Sequence, residues 1–390
     1  MSFLFDNEEE LVEEDFDDGD AGEVSAGDLK PPREAATILG YGDIEKQLLA
    51  AFNEGRMPHA IILSGLEGIG KSTFAFRIAR FLLKHGAAEA DAGPSLFGDP
   101  LPAAKPTSFD VPIDDPVAQL VASAGHNDLL IIERLFDEKK GRLQGEVIIE
   151  EVRRVTPFLR LTAARGGWRI VIVDDADTMN RNSQNALLKI LEEPPTKTLL
   201  ILVTHRVGAL VPTIRSRCRV ITVQPPDIAI FGQLLRMAEP TLSDTEVNVL
   251  YAVSSGSAGQ GLKLLNEGGL EAVARFVTLL EGWPKWNWVD IHALADNISR
   301  PEQEDALQAF RTIMLWAAEA MVRAKARGEN LPVPLDASAA MKIIGQYPLA
   351  ALVEICENLR EHFALAENAN LDRRQAVLGA FSLLANKEAA

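Results

Sequence analysis

The chain has 390 residues, 47% of them apolar and 24% charged, with a net charge of −17 and only two cysteines, Cys218 and Cys356. That length exceeds one compact core and predicts two or three domains. The balance excludes a membrane-spanning protein, since no run approaches the roughly 18 apolar residues of a span; it also excludes a disulfide framework, a four-cysteine zinc site, and a chain that wraps nucleic acid by its own charge.

Taken in order, residues 1–35 hold 13 acids, from Asp6 to Glu34, against Lys30 and Arg33. A segment with so little to bury is expected to be disordered. It reads as a solvating extension, although Phe3, Leu4, Phe5, Leu11 and Phe16 leave a partner-binding role open. With no basic n-region and no apolar h-region, no secretory signal is expected, and a reducing cytoplasm is the natural compartment. Order is expected from about Ala36. Ile44, Leu48, Leu49 and Phe52 recur at helical spacing, and Gly55 and Pro58 close that helix. "AIILSG" is a wholly apolar strand suited to a sheet covered on both faces. It runs through "GLEGIGKST" into a helix with Phe74, Ile78, Phe81 and Leu82 on one side.

Residues 86–127, rich in Ala, Gly, Pro and Asp, read as an irregular insertion. "DLLIIERL" resumes a strand. "EVIIEEVRRVTPFLRL" reads as a helix that Pro157 kinks or resets. "WRIVIVDDAD" is a strand ending in acids, "NRNSQNALLKILEEPP" a helix closed by Pro194 and Pro195, and "TLLILVTH" a further strand. A last strand covers Val220–Val223 in "PTIRSRCRVITVQPP". Strands alternating with helices imply a parallel sheet with helices on both faces. Beyond Pro226 the pattern is helical throughout. Trp283, Trp286 and Trp288 in "EGWPKWNWVD" could stack bases, but packing at a junction is the sufficient reading. Phe310, Ile313, Met314 and Ala317 form a core stripe on one helix.

"GLEGIGKS" fits G-x-x-x-x-G-K-[ST] in full, between a strand and a helix as its chemistry requires. Gly65, Gly68 and Gly70 let the backbone turn its N–H groups toward phosphate oxygens, and the helix adds its dipole. Lys71 supplies charge to the β- and γ-phosphates; Ser72, followed by Thr73, supplies a hydroxyl for Mg²⁺. Asp174, ending an apolar strand, would hold Mg²⁺ through its water shell. Asp175 stands where many such ATPases carry a glutamate that polarises the attacking water. It is one methylene shorter, and an error of about 1 Å costs on the order of 100-fold in rate, so nucleotide binding is signalled more strongly than hydrolysis. A solvated turn acid is the other reading of Asp175 and the favoured one for Asp177.

"HAIILSGLEGIGKST", "VIVDDADTMNRNSQNALLKILEEPP" and "TIRSRC", in this order, resemble the AAA+ subunits of the bacterial DNA polymerase III clamp loader, and among them delta-prime. The resemblance covers roughly residues 36–265 and more loosely the rest. It implies an α/β P-loop AAA+ module at 36–225, a small helical lid at 226–268 and an all-α collar domain at 269–390. It implies a hetero-oligomer with other clamp-loader subunits that uses ATP and Mg²⁺ to open the sliding clamp and place it on primed DNA. On the resemblance, Thr204 is the sensor residue and Arg217 of "SRC" an arginine finger that reaches a neighbour's γ-phosphate. A planar, always-charged guanidinium suits that task. Arg215 and Arg219 read as surface charge, and Cys218 as a small buried spacer.

Two departures stand out. Motor subunits of this family carry a lid arginine in G-S-x-R-x-A-L; here "GSAGQGL" has Gly259 at that place, which fits delta-prime and leaves turnover by this chain weak or absent. The insertion holds no cysteine, so the zinc module of several relatives is expected to be missing. Two other readings stay open: a homo-oligomeric AAA+ helicase or remodeller, and a small-molecule P-loop kinase.

Overall fold

The computed structural model describes residues 31–35, 38–86, 105–137, 142–163, 166–368 and 372–385. Most of the acidic tail, residues 1–30, lies outside the described residues. Its last part does not. Arg80, buried on the second helix, donates to the carbonyls of Arg33 at 3.2 Å and Ala35 at 2.7 Å. A buried guanidinium needs acceptors, and here it finds them on this backbone.

The N-terminal half opens with α1 (Gly42–Asn53), β1 (Ala60–Ser64) and α2 (Lys71–His85). It continues through α3 (Pro116–Ala122), β2 (Leu129–Ile132) and a short antiparallel hairpin, β3 (Phe136–Asp137) with β4 (Arg142–Leu143). Then come α4 (Ile149–Arg153), α5 (Val155–Arg160), β5 (Arg169–Val173), α6 (Arg181–Glu192), β6 (Thr198–Thr204), α7 (Pro212–Arg215) and β7 (Arg219–Thr222). Five strands form one parallel sheet in the order β2-β5-β6-β1-β7. Period-two alternation divides them cleanly. Ile61, Leu63, Ile170, Ile172, Leu199 and Ile201 face α1 and α2. Ala60, Ile62, Val171, Val173, Leu200 and Leu202 face α4 to α7. With both faces covered, β1, β5 and β6 are apolar through their centres, which makes them readable as continuous runs.

The insertion at 86–127 corrects the sequence reading in part. Residues 87–104 lie outside the described residues, but the remainder is built in. Asp115 caps α3 by accepting from the Val117 amide at 2.9 Å. Phe109 is 1% exposed and stacks on Phe81 with ring centroids 4.1 Å apart. The expected helix around Pro157 is two short ones that break at Arg154. Pro157 then falls in the first turn of α5, where a missing N–H costs nothing.

Beyond β7 the chain is helical: α8 (Ile228–Ala238), α9 (Asp244–Val253), α10 (Ala258–Asn266), α11 (Gly269–Leu280), α12 (Trp288–Ile298), α13 (Glu304–Arg327), α14 (Ala340–Gln346), α15 (Leu349–Asn368) and α16 (Arg373–Ala385). Their buried side chains form one continuous cluster from Phe231 to Leu384, so residues on either side of position 268 share a core. Phe310, Ile313, Met314 and Ala317 of α13 are within it. Trp283 packs on Tyr347 and Trp286 edge-on against Phe381, so neither face is open to a base. Trp288 is 39% exposed. Among the described residues no helix is long and apolar enough to cross a membrane.

Candidate functional site

The glycine loop follows the C-terminal end of β1 and leads directly into α2. Gly65, Gly68 and Gly70 all take positive φ. At Gly65 a side chain is also excluded sterically, since a Cβ would lie 2.6 Å from the Val223 carbonyl oxygen. Tyr41 braces the loop from outside: its hydroxyl donates to the Ile69 carbonyl at 2.8 Å and its ring lies on Phe74.

Lys71 opens α2 and is 3% exposed. Its ammonium donates to the loop carbonyls of Gly65 at 3.0 Å and Leu66 at 2.6 Å, and lies 2.9 Å from Nδ1 of His205. Burial lowers its pKa; the charges of Asp174, Glu67, Asp177 and Asp175 act against that and do not cancel it. Ser72 donates to Asp174, with both carboxylate oxygens 2.9 Å away. The hydroxyl and the strand-end acid read as a Mg²⁺ pair therefore do meet, across 102 residues of sequence. Thr73 follows in the first turn of α2. Burial, then the neighbouring charge of Asp175, raises the Asp174 pKa above the ordinary carboxylate range.

Asp175 sits in the left-handed region at φ 47°, a conformation that an aspartate tolerates better than most residues. Its carboxylate is held from two sides. His205 Nε2 lies 2.9 Å from Oδ1, and Arg134 Nε donates to Oδ2 at 2.8 Å. The His205 hydrogen bond is the main cause of its lowered pKa; the Arg134 charge adds to it and burial opposes it.

Asp177 is not the solvated turn acid the sequence suggested. It is buried, and it accepts from the Thr204 hydroxyl at 3.1 Å, the His205 amide at 3.0 Å and Arg206 Nε at 3.3 Å. Burial alone would raise its pKa; those hydrogen bonds turn the balance to a net lowering. The carboxylate fixes the end of β6 because two successive residues there, Thr204 and His205, present donors to it. Thr204 is fully buried, and its hydroxyl also accepts from the Arg206 amide at 3.1 Å. His205, the next residue, is the one that reaches Lys71.

The start of α10 rests directly on the loop. Ser257, the cap of α10, donates to the Glu67 carbonyl at 2.6 Å, and the Gly259 amide donates to the Gly68 carbonyl at 2.9 Å. A Cβ at Gly259 would stand 2.8 Å from that same oxygen. Gly259 is thus the residue that lets two backbones touch.

Arg217 is elsewhere. It precedes β7, which runs parallel to β1 with Arg219 beside Ile61 and Thr222 beside Ser64. Arg217 therefore lies off the N-terminal edge of the sheet, and Lys71 off the C-terminal edge, separated by roughly 13 Å of strand. Its guanidinium donates to the Thr213 carbonyl at 2.9 Å and pairs with Glu192 at 2.9 Å, with the side chain 35% exposed. Arg215 is exposed and Arg219 donates to Gln47 at 3.1 Å. Cys218 is partly buried, and burial pushes its thiol pKa up to about 12.

Comparison with known proteins finds DNA polymerase III subunits among those this chain is similar to. The family model described as DNA polymerase III, delta subunit matches residues 114–227. The DNA polymerase III subunit delta' of Pseudomonas aeruginosa is 32% identical over 56% of this chain, which spans 59% of that protein's length. The delta' subunit of Escherichia coli is 28% identical, with 84% of this chain and 89% of that one aligned. Among solved structures, a gamma-subunit-related DNA polymerase III protein of Thermotoga maritima superposes on 87% of this chain and 98% of its own at 18% identity, with a TM-score of 0.40. Two delta' relatives from different genera, and a family model laid over the segment from α3 to β7, converge: over most of its length the chain is similar to DNA polymerase III subunits, delta' among them.

Proposed function

We propose that this chain acts in the cytoplasm as a delta-prime-like member of a hetero-oligomeric clamp loader, and that its main chemical contribution is made to a neighbouring subunit. In this reading it joins other clamp-loader chains in an ATP-driven complex that opens the sliding clamp and sets it on primed DNA. Arg217 reaches the γ-phosphate of a nucleotide bound next door. The observation that carries the reading is the placement of Arg217 at the sheet edge opposite its own phosphate loop, part exposed and oriented by Glu192. A guanidinium so placed cannot serve Lys71 of the same chain. It can serve a partner, and fingers supplied in trans are worth about 10³–10⁵ in rate.

The chain's own loop fits MgATP in its residue types. Lys71 would meet the phosphates, and Ser72 with Asp174 would hold Mg²⁺, which neutralises phosphate charge when bound. Turnover is weakly supported here. Asp175 is committed to Arg134 and His205, the Thr204 hydroxyl to Asp177, and the lid brings Gly259 in place of a cation. Neither a homo-oligomeric helicase nor a small-molecule kinase is favoured, since delta', gamma and tau subunits of DNA polymerase III are among the relatives. The direct test is to purify the tagged full chain from its own cells and identify what accompanies it. Other clamp-loader subunits are expected; a homo-oligomer free of them would reject the reading.

A further inference from the structure

The Lys71 ammonium has three hydrogens and three acceptors: the Gly65 carbonyl at 3.0 Å, the Leu66 carbonyl at 2.6 Å and His205 Nδ1 at 2.9 Å. An ammonium can only donate, so Nδ1 must accept. A neutral imidazole that accepts at Nδ1 carries its proton on Nε2. That nitrogen lies 2.9 Å from Asp175 Oδ1, which can only accept when ionised. Asp175 is fixed in turn by Arg134. Four side chains from four separate segments thus form one directed series. Lys71 donates to His205, His205 donates to Asp175, and Arg134 donates to Asp175 from the far side. The two carbonyls belong to the phosphate loop itself; among the described residues His205 is the one acceptor brought from outside it.

We infer that His205 is a latch on Lys71, a positioning residue that draws the ammonium back and lowers the affinity of this loop for nucleotide phosphates. The inference rests on the proposed reading of the loop as a nucleotide site. A ligand shifts an equilibrium only by its differential contacts in the two states. In the latched state every hydrogen of a buried cation is satisfied. A phosphate oxygen that takes one of them must replace an existing acceptor, and the gain is only the difference between the two. Without the imidazole, one hydrogen of a buried ammonium would lack a partner in the free protein, which is costly. Phosphate would then supply a missing acceptor. The latch also joins the strength of nucleotide binding to Arg134, on the segment between β2 and the β3–β4 hairpin, so a contact that moves that segment would be felt at Lys71.

The experiment is isothermal titration of the full chain with ATPγS and Mg²⁺. His205→Leu is expected to bind about tenfold tighter than the wild type. His205→Asn, whose Oδ1 can still accept from Lys71, is expected to stay within about twofold of wild type. Adding Lys71→Met to His205→Leu should abolish the gain, which a merely structural role for His205 would not predict. Binding by His205→Leu that equals or falls below wild type, or remains undetected at millimolar ligand, overturns the latch. If that variant fails to fold, the wild type decides. Histidine ¹⁵N resonances must show His205 protonated on Nε2, with an Nδ1 signal that moves on adding ATPγS; an Nδ1-protonated ring, or an unmoved signal at saturation, overturns it equally. Neither result touches the Arg217 reading, which is decided by the company the chain keeps in its cells.

Discussion

Arg217 Nη2 lies 2.9 Å from Oε1 of Glu192, so the arginine of "SRC" and the acid of "LEEPP" are joined at the N-terminal edge of the sheet. The pair is too exposed to matter much for stability; ion pairs in such settings contribute about 0–1 kcal/mol. Its value is orientation. Arg217→Ala is expected to leave melting within about 1 kcal/mol of wild type while slowing hydrolysis at the neighbouring site on the order of 10³-fold in the reconstituted complex. Glu192→Ala should give a smaller loss at the same site, because the guanidinium remains but is no longer aimed. DNA-stimulated ATP turnover that is unchanged in a fully assembled Arg217→Ala complex would remove the finger role.

Asp174 offers a test of opposite sign. Its folded pKa is raised by burial and by Asp175. A carboxyl group whose pKa rises on folding is destabilising wherever it is ionised, above that raised pKa, and ceases to be so as pH falls below the unfolded value near 3.8. Asp174→Asn keeps an oxygen to accept from Ser72 and removes the charge. At pH 7 it should therefore raise stability, by on the order of 1 kcal/mol, and the gain should fade in acid. Denaturant titrations at pH 7 and pH 4 read this directly. A loss of stability at neutral pH would show that the carboxylate is better compensated than its surroundings imply. The same variant should weaken any Mg²⁺-dependent nucleotide binding, the usual opposition between stability and a site's chemistry.

Phe109 tests the insertion. It comes from a stretch with no legible periodicity, yet its ring is stacked on Phe81 inside the core that covers α2. Truncating a buried phenylalanine costs about 3–5 kcal/mol. Phe109→Ala should fall in that range by chemical denaturation, whereas Ile113→Ala, at a side chain 57% exposed, should cost less than about 0.5 kcal/mol. Equal effects at the two positions would mean that the segment is not anchored through Phe109.

What could and could not be read from the sequence follows from range. β1, β5 and β6 were legible because both sheet faces are covered, which makes their central residues an unbroken apolar run. The phosphate loop was legible because its chemistry is confined to eight consecutive residues, Gly65 to Ser72. The Ser72–Asp174 pair followed from motif logic applied to a strand end. His205, Arg134 and Tyr41 were missed as site residues for a common reason: each acts on a partner 28 to 134 residues away, and nothing local marks a histidine after a strand or an arginine after another. Asp177 was misread because an acid four residues beyond a strand is usually in water, and only the fold shows that the Thr204 hydroxyl and the His205 amide are turned toward it. The β3–β4 hairpin, two residues per strand, is too short to carry a period.

Gly259 is where α10 and the phosphate loop meet backbone to backbone. Its amide donates to Gly68 at 2.9 Å, Ser257 donates to Glu67 at 2.6 Å, and a Cβ at 259 would meet Gly68 oxygen at 2.8 Å and Cα at 3.0 Å. Those are backbone atoms of a loop braced by Tyr41 and Lys71, so they cannot step aside as a side-chain tip would. Gly259→Ala must therefore lift α10 away from the loop. Alanine returns up to about 1 kcal/mol of helix propensity, while one or two hydrogen bonds of about 1 kcal/mol each are lost and strain is added. A net destabilisation of about 1–2 kcal/mol is expected, with hydrogen exchange accelerated in two places at once: residues 65–70 and 257–262. Gly208→Ala, at a position with open space around it, should change neither. If exchange in the loop stays at the wild-type rate while α10 alone loosens, the lid does not bear on the phosphate loop, and the glycine at 259 would need another explanation than contact between two backbones.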